Sequence, residues 1–280
     1  MEPRLRDGYI TTTVEVLTKG LLRTLLVLLH DFPDYLSENH FTLCNLIPPG
    51  CVQLKNLVLS AFPRAKRLPD PFMQGLKLEN IVENKDPPIL AINLSAILDS
   101  VKIRAPLDKY LQTQNPEDFP RKLVERTKIV PMENGIQNGV TSAKERRPRY
   151  NVDLLNAIVL YVGIQAIDAM QKHEETGVLI FDASSPQMKL FTTLNAELDI
   201  EGLIPVCLAL IDSGRYHFLS AIANQLRYPN SHTYYFSCVI LELFSQEDCP
   251  PITYEQITRV LLERIVCNRP HPVSHLNDHC

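Results

Sequence analysis

Apolar residues recur along the chain at spacings of three and four residues, which is the period of an amphipathic helix. Alternation with a period of two, which would indicate a half-buried strand, is sustained nowhere. The pattern therefore predicts an all-α fold. The clearest early stripe places these residues on one predicted helix face: Val14, Leu17, Leu21, Leu25 and Leu28.

Proline and glycine divide the rest of the first half into short helices, because proline removes a backbone donor and fixes the chain direction. One stripe follows DFPD and stops at Pro48, and a third runs from Leu54 to Ala61 and ends before Pro63. A proline-rich loop, FPRAKRLPDPF, comes next. Weaker helices are then predicted at Leu76–Val82, Ile89–Leu98, Leu107–Gln112 and Pro120–Lys128.

The second half begins with a long predicted helix from about Asn151. The residues predicted to share its inner face are Leu155, Ile158, Val162, Ala166 and Ala169. In the last helix, TYEQITRVLLERIV, Thr253 and Gln256 have capping-box spacing, in which each side chain satisfies an unpaired amide at the helix start. There the residues expected to stay in water are Glu255, Arg259, Glu263 and Arg264.

The order of these elements predicts two helical halves of one domain, residues 1–130 and 150–270. The segment 131–149 between them is rich in Asn, Gly and charge, so we expect a mobile polar loop, and the tail 271–280 is predicted to be disordered. Short turns between amphipathic helices imply antiparallel pairs. Stacked pairs of this kind would form a HEAT-like α-solenoid.

Composition excludes several classes of protein. The net charge of −4 gives no overall attraction to nucleic acid or to an anionic membrane. The 7 cysteines are scattered without a CxxC motif, which favours reduced thiols over a disulfide framework or a zinc ribbon. The strongly apolar runs near Leu21–Leu29 and Leu203–Ile211 are shorter than the ~20 residues that cross a bilayer, so no membrane association is expected.

The most concentrated polar stretch is RYPNSH, residues 227–232, between two predicted helices. Pro229 cannot continue the first helix, Asn230 suits a tight turn, and Ser231 is the predicted N-cap of the second helix. Arg227 would then lie near the C-terminal carbonyls of the first helix, where a cation is favoured. We interpret the stretch, including Tyr228 and His232, as a structural turn, with a partner-binding edge and a catalytic site as the alternatives.

The tail offers a possible metal site, because His271, His275 and His279 are spaced four residues apart and Cys280 is adjacent. Prolines break the start of this segment and no apolar stripe would hold it helical, so no metal site is predicted. The P-loop, dinucleotide and HExxH motifs are absent, and no cofactor is predicted. The basic patches Arg64–Arg67 and Lys144–Arg149 lack interleaved aromatics, which favours solvated loops over RNA binding.

Several long strings resemble a known family. These are HDFPDYLSENH, IPPGCVQLKNLVLSAFPRAKRLPDPF, YNVDLLNAIVLYVGIQAI, AIANQLRYPNSHTYYFS and EQITRVLLERIVCNRPHP. They are similar to the C-terminal domain of the Not-one family, the scaffold subunit of the Ccr–Not deadenylase complex. The resemblance extends from about Leu21 to Pro272 and is weaker across Leu76–Arg149.

This resemblance implies a HEAT-like platform without catalytic activity. Such a platform docks Not-two and Not-three type subunits and, in some animals, short peptides of translational repressors, while separate nuclease subunits shorten poly(A) tails. Its association with mRNA is indirect, and its expected location is cytoplasmic, including P-bodies, and also nuclear. Asn268 and Arg269 join residues 227–232 as possible partner-binding positions. The alternatives are a helical protein-binding module of another assembly and a helical metal-dependent hydrolase.

The sequence departs from the family pattern between Glu201 and Arg215, where GLIPVCLALIDSG looks like an insertion of about a dozen residues. We expect this segment to lie outside the ancestral core. Deletion of Leu203–Gly214 is then expected to increase stability. The family pattern also continues with further helices beyond both ends of this sequence.

Overall fold

The computed structural model describes residues 12–48, 50–70, 72–75, 81–129, 149–171, 177, 179–198, 213–246 and 251–266. This part of the chain contains eleven α-helices, one 3₁₀ turn and one pair of two-residue strands. The prediction of an all-α, HEAT-like fold is confirmed. Of the predicted loop 131–149, all but Arg149 lies outside the described residues, and Arg149 pairs with Ile129 in a strand. The whole tail and most of the apparent insertion also lie outside them. The described end of the insertion contradicts the expectation, because Ser213 caps the helix Gly214–Ala223 and Gly214 is buried in the core.

The elements follow one another in this order: α1 Thr12–Asp31, α2 Pro33–Leu46, α3 Val52–Leu59, the 3₁₀ turn Val82–Lys85, α4 Leu94–Ser100, α5 Arg104–Thr113, α6 Phe119–Thr127, β1 Lys128–Ile129, β2 Arg149–Tyr150, α7 Val152–Ala169, α8 Pro186–Glu197, α9 Gly214–Ala223, α10 Ser231–Ser245 and α11 Pro251–Val266. The strands are antiparallel and pair Lys128 with Tyr150 and Ile129 with Arg149. They are too short for an alternating pattern to predict them.

Short polar side chains begin most of the later helices. In each case the side-chain oxygen accepts a hydrogen bond from the amide three residues further on, which satisfies one of the unpaired amides of the first turn. Proline occupies one of the first two positions of α2, α6 and α8, where its missing N–H costs nothing. The N-cap residues are Asn93, Asn151, Ser185, Ser213 and Asn230.

Helix α7 lies at the centre of the fold and contacts α4, α6, α8, α9 and α10. Residues Leu154 to Gly163 are all buried, so this part of the helix is enclosed on every side. The sequence predicted only one buried face and therefore missed the others. Ala169, predicted to face inward, is exposed at the C-terminal end. By length and composition α7 could cross a membrane, but 11 of its 18 residues are buried by the rest of the protein.

Buried apolar side chains form two clusters. The smaller one joins α1, α2 and α3 around Leu25, Leu36 and Val58. The larger one surrounds α7 and takes residues from α4–α6 as well as from α8–α11, so the two predicted halves share a core. Phe41 of α2 belongs to the larger cluster, which places the α1–α3 layer against it.

The apolar stripe of α1 is covered over only part of its length. Leu25 is 4% exposed, whereas Leu17 and Leu21 on the same predicted face are 53% and 39% exposed. The helix packs on α2 and α3 through its C-terminal half, because its buried contacts begin at Leu25. Periodicity therefore identified the helix correctly but overstated its buried surface.

The capping box predicted at Thr253 and Gln256 does not form. Helix α11 begins at Pro251, so both residues lie inside it. The Thr253 side chain is fully buried, and Gln256 Nε2 donates to Ser213 Oγ over 3.0 Å. The correct spacing was present, but the Pro251 ring favours an earlier helix start.

Close packing of α7 against α10 gives a stability prediction. A Cβ on Gly163 would overlap the Phe236 ring and lie 2.9 Å from its Cε2. Because Phe236 is fully buried and cannot move aside, Gly163→Ala should lower the free energy of unfolding by about 1–3 kcal/mol in urea titrations.

Gly20 in α1 is the matched control, since a Cβ there meets no atom within 4 Å. Gly20→Ala should raise stability by about 0.5–1 kcal/mol through helix propensity alone. Equal stability of Gly163→Ala and the parent would show that α7 and α10 are not in this contact.

Candidate functional site

The predicted turn RYPNSH does connect two helices, α9 and α10, and the residues 224–233 that form it are called the 224–233 turn below. Two amides at its start bond back to α9: Gln225 N donates to Ile222 O and Leu226 N donates to Ala223 O, over 3.0 and 3.1 Å. Inside it, Thr233 Oγ1 lies 3.1 Å from Gln225 O and 2.8 Å from Tyr228 O. The turn is therefore held by its own hydrogen bonds.

The sequence predicted Ser231 as the N-cap of α10, but the N-cap is Asn230. Asn230 Oδ1 accepts from Thr233 N over 3.0 Å, and its Nδ2 donates to Tyr228 O. Ser231 is the first residue of α10, and its buried Oγ has no hydrogen-bond partner. Asn230 fits the cap because its backbone is extended and its amide serves both sides of the turn.

The sequence predicted that Arg227 would lie near the C-terminal carbonyls of α9. Its side chain instead extends to the α1–α3 layer. Its Nη1 donates to Ser37 O over 3.2 Å, and its Nη2 donates to Ser37 Oγ and Ala61 O over 3.1 and 3.0 Å. These groups lie in α2 and just after α3, elements more than 160 residues away along the chain. The guanidinium thus joins the ends of two helices of the first half to the turn of the second.

Two further contacts extend this junction. The Arg227 guanidinium lies 5.3 Å from the centre of the Tyr228 ring, and that ring is 6.4 Å from the ring of Phe62. Ser231 N donates to Asp86 O over 2.9 Å, just after the 3₁₀ turn. Asp86 in turn pairs with Lys66 over 2.6 Å, so part of the predicted basic patch is already neutralised.

The histidines of the junction are held neutral. Burial first, and then the nearby Arg227 charge, lower the pKa of His40 to about 3 and that of His232 to about 4. Arg227 Nη1 lies 2.9 Å from His40 Nδ1. His40 Nδ1 also lies 2.9 Å from Ser37 O, so the His40 ring is in contact with both a guanidinium and a backbone carbonyl.

This geometry supports a structural role better than a catalytic one. Ser231 Oγ and His232 Nδ1 are both buried without hydrogen-bond partners, so they do not form a nucleophile–base pair. Among the described residues, no group of three His, Cys, Asp or Glu side chains could hold a metal ion. The histidines and Cys280 of the tail, with Asn268 and Arg269, lie outside the described residues.

A second junction, which the sequence did not reveal, links α11 to α3. Arg264 was expected to stay in water, but its Nη1 donates to Asn56 Oδ1 and its Nη2 is buried without a partner. Asn56 Nδ2 donates to Glu263 O over 2.7 Å. Burial lowers the pKa of Arg264 to about 10. A buried Asn in a short apolar helix was the one signal that could have suggested this contact.

Comparison with known proteins identifies the family. The family described as "CCR4-Not complex component, Not1" matches residues 1–274. The chain belongs to the Not1 family. Curated relatives agree: it is 42% identical over 273 residues to "CCR4-NOT transcription complex subunit let-711" of Caenorhabditis elegans, covering 97% of this chain and 9% of the relative.

A fission-yeast relative, "General negative regulator of transcription subunit 1" of Schizosaccharomyces pombe, is 36% identical over 271 residues, which cover 96% of this chain and 12% of the relative. The chain therefore spans about a tenth of the length of these relatives.

Solved structures give the same result for the fold. The Not1 superfamily homology domain from Chaetomium thermophilum matches with a TM-score of 0.76 and 28% identity, over 97% of this chain and 49% of that one. A structure described as the Not1 C-terminal domain in complex with Not4 matches with a TM-score of 0.69 and 31% identity, over 92% and 49%. The resemblance inferred from the sequence strings is confirmed.

The N-cap of α10 can be tested with two adjacent alanine substitutions. Asn230→Ala removes the acceptor for Thr233 N and the donor to Tyr228 O, so unfolding in urea should show a loss of about 1–2 kcal/mol. Ser231→Ala removes an unpartnered buried hydroxyl and should be neutral within about 0.5 kcal/mol. A larger loss for Ser231→Ala than for Asn230→Ala would reverse the assignment.

The neutral histidines make stability depend on pH. The unfolded chain takes up protons at these rings near pH 6.5, whereas the folded chain resists them until about pH 4 and 3. The stabilisation is therefore complete above pH 6.5 and is lost as the pH falls toward those values, by on the order of 2 kcal/mol per histidine at pH 5. Urea unfolding at pH 7.5 and 5.0 measures this loss.

His40→Gln should reduce that pH dependence, because it removes one of the two rings. The same substitution at exposed His30 is the control and should leave the dependence in place. A chain equally stable at both pH values would contradict the assignment of neutral, buried rings.

Proposed function

We propose that this chain is a non-catalytic docking domain of a CCR4-NOT complex. It binds other subunits, of the Not-two and Not-three type, and thereby supports poly(A)-tail shortening, translational repression and mRNA decay by enzymes bound elsewhere. What carries the proposal is the family match over residues 1–274. Its support is the related Not1 C-terminal domain, which is described in complex with Not4.

The same proposal includes the setting of the domain. Membership in the Not1 family favours a cytoplasmic location, including P-bodies, with a nuclear share, and an association with mRNA that runs through the complex. Short peptides of translational repressors are a further class of partner. The geometry of the 224–233 turn is compatible with a structural domain. Its buried Arg227 side chain bonds to backbone carbonyls of other elements and so connects helices.

A docking domain must offer surface that a partner can cover. On α10, Leu241 and Phe244 are 60% and 46% exposed, and they lie three residues apart on one face. The Phe244 ring meets Tyr254 of α11 edge-on with ring centres 5.1 Å apart, which fixes its position. We call Leu241, Phe244 and Tyr254 the α10–α11 edge and propose it as part of the docking surface.

Co-purification with Not-two and Not-three type subunits tests this function. Leu241→Glu and Phe244→Glu introduce charges where a partner would bury apolar surface, so each should weaken capture at least tenfold in a quantitative pull-down. Folding is checked by circular dichroism and thermal unfolding, which should change little because both side chains are exposed.

Leu46→Glu is the matched control, since Leu46 is 74% exposed and belongs to α2, which is not one of the two helices that form this edge. It should retain the subunits. Failure of the parent chain to capture either subunit would contradict the proposed function. Loss of capture by Leu46→Glu alone would place the docking surface elsewhere on the domain.

A further inference from the structure

We propose that a polar cavity between α3, α7, α9 and α11 is a binding site for a carboxylate group. Lys55 of α3, Asn156 of α7, His217 of α9 and Arg264 of α11 contribute to its lining. Its volume is about 40 Å³. It lies beside the Asn56–Arg264 contact, and Asn224 at the start of the 224–233 turn also contributes to its lining.

Two cationic groups at this cavity have no direct counter-charge among the described residues. Lys55 Nζ makes no hydrogen bond or ion pair within the part of the chain that the structure describes, and Arg264 Nη2 is buried without a partner. The carboxylate that lines the cavity is already engaged: Glu263 Oε1 accepts from Arg259 over 2.8 Å and Oε2 accepts from the Tyr216 hydroxyl over 2.7 Å. Two cations thus face one small space.

The surroundings of Lys55 show that this arrangement is costly without an anion. Burial lowers its pKa, and the Arg264 charge acts in the same direction, while Cys44, Cys51 and Asp153 act in the opposite one. Removing an ammonium from water without a direct counter-charge disfavours its charged form. An anion in contact with Lys55 would restore that form.

The size of the cavity selects the class of anion. A single water requires about 10–15 Å³, so 40 Å³ admits a group of about three heavy atoms. A planar carboxylate fits this space and brings two oxygens, one for each cation. The carboxylate has two possible sources, a free small carboxylate or an acidic side chain of a docked subunit; the second source rests on the proposed function.

Acetate is the probe for the site itself. At constant ionic strength, with chloride replaced, acetate at about five times its Kd should raise the Tm of the full chain by about 2–4 °C. It should also shift the ¹³Cε resonance of Lys55 as its ammonium gains a counter-charge. Lys55→Met should abolish the Tm response, and Lys109→Met, at an exposed position of α5, should keep it.

An equal acetate response in the parent and in Lys55→Met, or no response in both the Tm and the Lys55 resonance, overturns the site. A pull-down distinguishes the two sources of the carboxylate. If acetate competes with a Not-two or Not-three type subunit, and Lys55→Met captures that subunit more weakly, the carboxylate belongs to the subunit. Capture that acetate and Lys55→Met leave unchanged, with acetate still bound, assigns it to a free carboxylate. A parent chain that binds acetate but no subunit contradicts the proposed function and leaves the site standing.

Discussion

The hydrogen bonds from the Arg227 guanidinium to backbone carbonyls are the interaction that the rest of the structure depends on. They reach Ser37 O in α2 and Ala61 O after α3, and so attach the small apolar cluster of α1–α3 to the large one around α7. Ala61 O follows the C-terminal end of α3, where the helix dipole favours a cation. Without Arg227, Ala61 O would lose this hydrogen bond at a cost of about 1–3 kcal/mol, whereas Ser37 O would keep its 2.9 Å contact with His40 Nδ1.

Buried cations in this domain bond mainly to carbonyls and amides. Arg264 repeats the arrangement between α11 and α3 through Asn56, and neither arginine forms an ion pair with a carboxylate among the described residues. Burial lowers the pKa of each to about 10, so both stay charged near neutral pH. The histidines beside Arg227 stay neutral for the same reason, since a second cation in that space would be repelled.

These junctions have a consequence for docking. The 224–233 turn sets the direction of α10, and α10 carries Leu241 and Phe244 on its exposed face. The contact of Arg264 with Asn56 fixes α11, which supports that face through Tyr254. Because α10 and α11 are attached to the core in this way, the docking surface proposed on them is held in one shape, so little ordering entropy would be lost on association.

The sequence by itself determined the helices. Spacings of three and four and proline breaks are local signals, because helix formation depends on neighbours within one or two turns. The same strings identified the Not1 family. What only the tertiary structure decided was which polar residues are buried and what they bond to. Arg264 and Arg259 have the same charge on one helix, and only the position of α3 makes Arg264 an interior residue. The acceptors of Arg227, such as Ala61 O, lie far away along the chain. Every residue has a backbone carbonyl, so no sequence pattern can show which carbonyl will accept the hydrogen bond.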